Sequence, residues 1–399
     1  MRTKAHVGIN VSIALALALG AQELRAEPLR LRGDALVQTR SPSPVGLVLL
    51  HGQDKLRPWI DADAVAWMGV TDRPDATGDV LSLSVRARHA ATGSELRVGR
   101  MLVSTGAVRP VHLDGVRGQV RVLGGTTAEA FAGAPVVRRF GYRDFEWAAG
   151  GRLGQTLGDH TAFGASYLHR RLDGARSDEE VGADVAFTPL PWLTGAGRWA
   201  YDVLGKGTTD ALGSLSVHNA DARLEAFVTH RSPGRLLPST SLFSVLGDYA
   251  ATTVGSTARY RAFPRLELIA TGSAQTQGSA VGGQGLGRVA LALDDTWDGS
   301  VGVEVRRVHF DTARWSGVRV TGVVPVVTRV KLSTELELVR PDDGGDRGDL
   351  WPWALVAASY AVSDRWFAAA GVEASAGPDY RREVHGIARL SYAYDRSGR

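Results

Sequence analysis

Arg117 and Arg121 stand four residues apart in VRGQVR, on one side of any extended chain, and Arg86 and Arg88 share a side in the preceding VRAR. Arg152 and Arg306 fall on the polar side of two further alternating stretches, and Arg109 lies in the loop that precedes Arg117. A planar guanidinium fork binds carboxylates and sugar acids in a way a lysine ammonium does not. Rows of arginine along a water-filled passage select anions. The chain has only four lysines among its 46 basic residues, an excess that a coding bias would also produce. The chemistry these positions suggest is recognition of anions without reaction, and Arg86, Arg88, Arg109, Arg117, Arg121, Arg152 and Arg306 form the candidate basic lining.

Other chemistries find little support. With no cysteine in 399 residues, disulfides, thiolate nucleophiles and thiolate metal sites are excluded. The ten histidines are scattered, with neither an H-x-x-x-H nor an H-E-x-x-H pair, so no metal site is expected. Ser239, Ser241 and Ser244 lack the G-x-S-x-G surroundings of a nucleophile elbow, and no catalytic residue is assigned. Acid clusters such as Asp178-Glu179-Glu180 and Asp342-Asp343 read as external loops. No nucleotide fingerprint or basic–aromatic nucleic-acid surface occurs, and no cofactor is expected.

The elements that would position the arginines have a period of two. Leu81, Leu83, Val85 and Ala87 oppose Ser82, Ser84, Arg86 and Arg88; Val116, Gly118, Val120 and Val122 oppose Arg117, Gln119 and Arg121. The same pattern recurs at Val301–Arg306, Lys331–Leu338 and Val384–Tyr394, with no helix-period segment to cover the apolar sides. Long connections (Arg171–Glu179, His230–Asp248, Thr276–Gly283, Arg340–Trp351) alternate with short ones. A closed barrel resolves both features: apolar outside against lipid, polar inside against water, short turns at one rim and long loops at the other. The expected fold is all-β, a transmembrane antiparallel up-and-down β-barrel of about 18–20 strands with short periplasmic turns and longer extracellular loops. Aromatics near strand ends, among them Trp147, Trp192, Trp199, Trp351, Trp353, Trp366 and Tyr392, suit interfacial girdles.

Residues 1–26, a basic start followed by VSIALALALG and Leu24-Arg25-Ala26, read as a secretory signal peptide. Residues 27–61 form a lead-in or a first strand pair, 62–394 the barrel, and 395–399 a tail. At Gly99-Arg100 the alternation slips: Leu96 and Val98 have one parity, Met101 and Val103 the other, which predicts a bulge.

Gly99-Arg100, Gly106-Ala107-Val108-Arg109 and Asp114-Gly115-Val116-Arg117 together resemble the strand–loop–strand signature of alginate-export-type porins. Met101 and Leu113 stand where that signature has Gln and Phe. The resemblance implies an 18-stranded outer-membrane channel with a basic lumen for an anionic polysaccharide, and a periplasmic polysaccharide-export protein as partner. Gly99, Arg100, Gly106, Asp114 and Gly115 are its motif residues.

The loop HRSPGRLLPSTSLFSVLGD is too apolar to be freely solvated; Leu236, Leu237, Leu242 and Phe243 are expected to fold into the lumen as a constriction, or to pack as an external cap. The sequence thus points to an integral outer-membrane channel, bounded by lipid and lipopolysaccharide, passing polar and anionic solutes or an exported polysaccharide. A non-transporting assembly barrel and an outer-membrane hydrolase are the alternatives.

Overall fold

The computed structural model describes residues 29–39, 44–70, 77–136, 146–172, 174–232, 250–311, 313–343, 350–377 and 382–396. Twenty-two strands account for nearly all of them. They are β1 (Leu29–Gln38), β2 (Val45–Arg57), β3 (Ile60–Val70), β4 (Thr77–Arg88), β5 (Glu95–Val103), β6 (Val111–Arg121), β7 (Thr126–Pro135), β8 (Glu146–Leu157), β9 (Thr161–Leu172), β10 (Ala175–Leu190) and β11 (Leu193–Asp202). The second half comprises β12 (Gly207–His218), β13 (Ala222–Arg231), β14 (Ala251–Phe263), β15 (Leu266–Gln277), β16 (Ala280–Ala292), β17 (Ser300–Phe310), β18 (Ala313–Val327), β19 (Val330–Pro341), β20 (Trp351–Ala361), β21 (Trp366–Ser375) and β22 (Glu383–Arg396).

Each strand pairs antiparallel with its successor, and β22 pairs with β1 from Leu29↔Arg396 to Gln38↔Ile387, so the sheet closes without an edge. The count exceeds the expected 18–20. Periodicity read from Ala62 onward finds the twenty strands β3 to β22; the additional pair, β1 and β2, lies in the Pro-interrupted 29–57 segment. The seam between β1 and β22 also carries side-chain links: Arg389 Nη2 donates to Asp34 Oδ1 at 2.6 Å, and Ser391 Oγ to the same oxygen at 2.6 Å.

The two faces differ as the period of two dictates. Val85, Val98, Val116, Val303, Val305, Leu336 and Leu390 are large apolar residues that stay exposed on the convex outer face. On the concave face their neighbours in sequence pair across strands: Arg86 with Asp61 at 2.6 Å, Arg117 with Glu129 at 2.7 Å, Arg259 with Glu267 at 2.5 Å. Cross-strand charge pairs of this kind satisfy groups that a narrow aqueous wall can only partly hydrate.

Both described chain ends lie at one rim, here the terminal rim. Its connections are mostly tight, as at 58–59, 158–160, 191–192, 264–265 and 328–329, whereas the far rim has 104–110, 136–145, 232–250 and 342–350. Two far-rim connections expected to be long are tight turns instead. β9 and β10 continue to Leu172 and from Ala175, and β15 and β16 meet across 278–279. In the first case the acidic residues read as loop belong to a 16-residue strand. Of the aromatics expected near strand ends, Trp366 and Tyr392 pack at 4.7 Å between ring centroids on the outer face near the terminal rim. Trp351 and Trp353 do not join a girdle. Their register with Val339 and Glu337 puts them on the inner face.

Candidate functional site

One stretch of wall does not run straight. Gly99, Gly115 and Gly133 lie directly opposite one another on β5, β6 and β7, flanked in register by Ser84 and Ala148. Gly99 has φ +125°, which L side chains rarely adopt, and a Cβ there would run into the Leu83 carbonyl oxygen. A Cβ on Gly115 would strike the carbonyl oxygen of Ala132. This row of missing side chains lets the β5–β6 hairpin bend sharply toward the lumen. On the outer side the bend leaves a hollow of about 570 Å³, bordered by Val80, Leu83, Val98 and Val116 and by the ion pair Arg100–Asp114 at 2.8 Å.

Beyond the corner the hairpin carries an apolar cluster into the barrel. Met101, Val103, Val108, Val111 and Leu113 pack with Phe131, Ala148 and Leu168 of the wall, each at most 8% exposed. This explains the slip in alternation. Pairing of β5 with β6 is unbroken from Glu95 to Val103, and its pairing with β4 runs without a shift up to Arg100, where it ends, so no bulge occurs there; the register shift lies next door, opposite Val65 and Ala66 in the β3–β4 pair. Met101 and Val103 are inward residues that are apolar because a folded loop covers them.

The tip, 104–110, is fastened to the wall of β9, β10 and β12. The Ala107 amide donates to Ser166 Oγ at 3.2 Å, and Gly106 approaches so closely that a Cβ would stand 2.9 Å from Ser166 and Asp184. Arg109 anchors the end. Its backbone N–H donates to Glu180 Oε2 at 2.8 Å, its Nε and Nη2 to Glu180 Oε1 at 2.9 and 2.8 Å, and its Nη1 to Asp178 Oδ1 at 2.9 Å. Glu180 has no exposed surface and also accepts from Thr209 Oγ1 at 3.1 Å. Asp178 continues to Arg170 at 3.7 Å, and Arg170 to Glu146 at 3.1 Å. Burial works against the Arg109 cation, but the hydrogen bonds and charge of Glu180 outweigh it and hold its pKa above the ordinary arginine value. The hairpin therefore lies along the inner wall and narrows the lumen with a segment pinned at corner, cluster and tip.

The arginines singled out by sequence divide by environment. Arg86, Arg117 and Arg152 face the lumen with carboxylate partners, Arg152 to Asp184 at 2.5 Å; Arg306 pairs with Glu304 and, at 3.5 Å, with Glu337. Arg88 is half exposed, 3.7 Å from Glu95. Arg121 is exposed, its stem beside Gly93 at the terminal rim. Arg109 is withdrawn from the passage altogether. The wall is thus a mosaic of opposite charges rather than a cationic sheet. Leu236, Leu237, Leu242 and Phe243 lie outside the described residues. Ser166 and Thr209 escaped sequence reasoning, and Asp178 and Glu180, read there as external-loop acids, lie on β10; the usable signal was that Glu180, Gly182 and Asp184 share the parity of a strand.

No family model and no curated protein sequence matches the chain. Solved structures do. The siderophore receptor PirA from Pseudomonas aeruginosa superposes with a TM-score of 0.61 at 10% identity, over 93% of this chain and 81% of that one. The translocation pore of the P pilus usher PapC gives 0.52 at 9% identity, over 92% and 99%. A ferric enterobactin receptor (PfeA) mutant from Pseudomonas aeruginosa gives 0.60 at 10% identity, over 92% and 81%. At such identities the likeness is one of fold: this chain has the architecture of these large barrels.

Proposed function

We propose that the protein is an integral outer-membrane channel, bounded by lipid and lipopolysaccharide, that conducts polar solutes passively. The observation that carries this reading is the closed 22-strand barrel with an apolar exterior and an ion-paired interior, a combination that is favourable only with lipid outside and water inside. Barrels of this strand number enclose a wide lumen unless something fills it, and the pinned β5–β6 hairpin supplies a partial filling. The terminal rim, with its mostly tight turns, is the periplasmic side, and the far-rim loops face outward.

Anions are the favoured solutes. The exposed Arg88 and Arg121 stand near the terminal rim, where low-dielectric walls focus their field. An exported acidic polysaccharide, delivered by a periplasmic partner, is the polymer version of this reading and draws on the signature around Gly99–Arg117. Purified protein in planar bilayers should give discrete conductance steps, with a reversal potential in a salt gradient displaced toward anions. Replacing Arg88 and Arg121 by Gln should bring that potential closer to zero. Failure of the wild-type protein to conduct would overturn the channel; a wild-type potential not displaced toward anions would overturn the anion assignment, and an unchanged potential in the variant would remove Arg88 and Arg121 as its source.

A further inference from the structure

We infer that the inner wall between β16 and β20 carries a pyranose-binding track descending from the far rim into the lumen. The inference rests on the channel reading and names a solute class for it. Four aromatic residues share this inner face. Phe310 is at the far end of β17, Trp315 one cross-strand step deeper on β18, opposite Val308. Trp351 and Trp353 follow on β20, level with Val339 and Glu337. Side chains on one face advance by two residues, about 7 Å, per step, and neighbouring strands lie about 5 Å apart. The rings therefore form a diagonal stair.

Two of these rings cover glycines, and a third is held by a carboxylate. Phe310 covers Gly282 of the adjacent strand, where any Cβ would collide with its ring. Trp315 lies over Gly317, its Cζ3 3.1 Å from where a Cβ would stand. Trp353 reaches sideways to donate its Nε1 proton to Glu373 Oε1 at 2.7 Å. An aromatic ring laid over a glycine stabilises a strand pair, but that role does not require several rings, all only half buried, to follow one descending line. Each keeps part of its apolar surface exposed on the inner face, at a cost in water that a stacked ligand would relieve.

A second feature stands at the top of the stair. A hollow of about 180 Å³ beside the Phe310 ring is lined by Gln275, Gln277, Ala280, Val281, Gly282 and Asp311. Amides and a carboxylate next to an aromatic face match a sugar ring, which offers a C–H face for stacking and equatorial hydroxyls that both donate and accept. Below it the inner wall continues with Arg306 paired to Glu337 at 3.5 Å and Arg319 to Glu335, further partners for hydroxyl groups along the descent. Repeated weak contacts of this kind let a chain enter and leave.

The test uses the whole barrel with two probes, maltohexaose as a neutral chain and hexagalacturonate as an acidic one. In planar bilayers both should interrupt the ion current in a concentration-dependent manner, and both should change tryptophan fluorescence of the detergent-solubilised protein, a readout that does not depend on conduction. Phe310→Ala and Trp315→Ala should each raise the half-blocking concentration at least about tenfold, while Trp366→Ala on the outer face should not. Current flow with neither block nor fluorescence change would overturn the track and leave the channel standing. Binding without conduction would do the reverse. Block by the acidic probe alone, unaltered in Phe310→Ala and Trp315→Ala, would also overturn the track by assigning recognition to the arginines.

Discussion

Arg109 and Glu180 set the residue-scale energetics of the lumen. The pair is shielded from salt and water, so it behaves differently from the exposed ion pairs elsewhere on the wall. Removing the cation would leave a fully buried carboxylate without its main partner, a change that costs about 3–5 kcal/mol in comparable settings. Arg109→Ala should therefore release the hairpin tip. Single-channel conductance is expected to rise and become noisier, and amides in 105–110 should exchange faster with solvent water. A variant with wild-type conductance and wild-type exchange would show that the apolar cluster alone pins the loop. A second carboxylate makes a pH-dependent prediction. Asp294, in the turn between β16 and β17, accepts from Thr296 Oγ1 at 2.8 Å and from the amides of Gly299, Thr296 and Asp298 at 2.7, 3.0 and 3.0 Å. The hydrogen bond from Thr296 and those amides lower its pKa from 3.8. A depressed carboxylate stabilises its turn above the unfolded value and loses that effect as pH falls through the folded one. Amide protection at Thr296–Gly299 should persist down through the ordinary aspartate range and give way only below it. Asp294→Asn should remove this acid-triggered step.

At the scale of elements, the β5–β6 hairpin and its neighbour β7 carry a run of three facing glycines, Gly99, Gly115 and Gly133, where the other described strand pairs have at most two. Gly115→Ala puts a methyl group against the carbonyl of Ala132, where the only relief is movement of backbone. Gly285→Ala, on β16, meets nothing within 4 Å. The first variant should lose the heat-modifiable folded band on electrophoresis, or keep it with an undocked hairpin and raised conductance. The second should resemble wild type in both respects. Equal behaviour of the two would remove the corner as the cause of the inward fold. The mosaic of charges follows from element geometry as well. Strands advance acids and bases in step, so Asp61, Arg86 and Glu95 meet on three consecutive strands although 34 residues separate the first from the last.

For the molecule as a whole, closure is the dominant fact. A sheet of 22 strands with free edges would expose two rows of backbone donors and acceptors; pairing β1 with β22 removes both. The assignment of faces is testable at neighbouring residues. Val303 is 43% exposed on the outer face, and Glu304 points inward beside Arg306. A cationic residue at the middle of a lipid-facing strand costs about 2–4 kcal/mol. Val303→Arg should lower the yield of folded barrel in lipid vesicles, and Glu304→Gln should leave it near wild type. The opposite ranking would invert inside and outside.

Alternation by itself determined the class of this protein. Because successive side chains point to opposite faces, Val301-Gly302-Val303-Glu304-Val305-Arg306 declares two unlike surfaces without reference to any other part of the chain. Repeated along the sequence with no covering helix, it leaves a closed barrel as the solution, and the twenty strands from β3 onward were countable in that way. The same local signal gave the arginine faces their parity. It could not show what stands opposite each arginine. Arg109 and Glu180 are 71 residues apart and meet only because a glycine corner turns one hairpin inward and five strand pairings fix the register between them. The apolar parity of Met101 and Val103 looked like a register slip until a folded loop was there to cover them. Phe310, Trp315 and Trp353 become a descending line only once the cross-strand partners are known, since each pairing shifts the height of the next strand by an amount no single strand contains. Faces are a property of one strand, but neighbours are a property of the closed sheet.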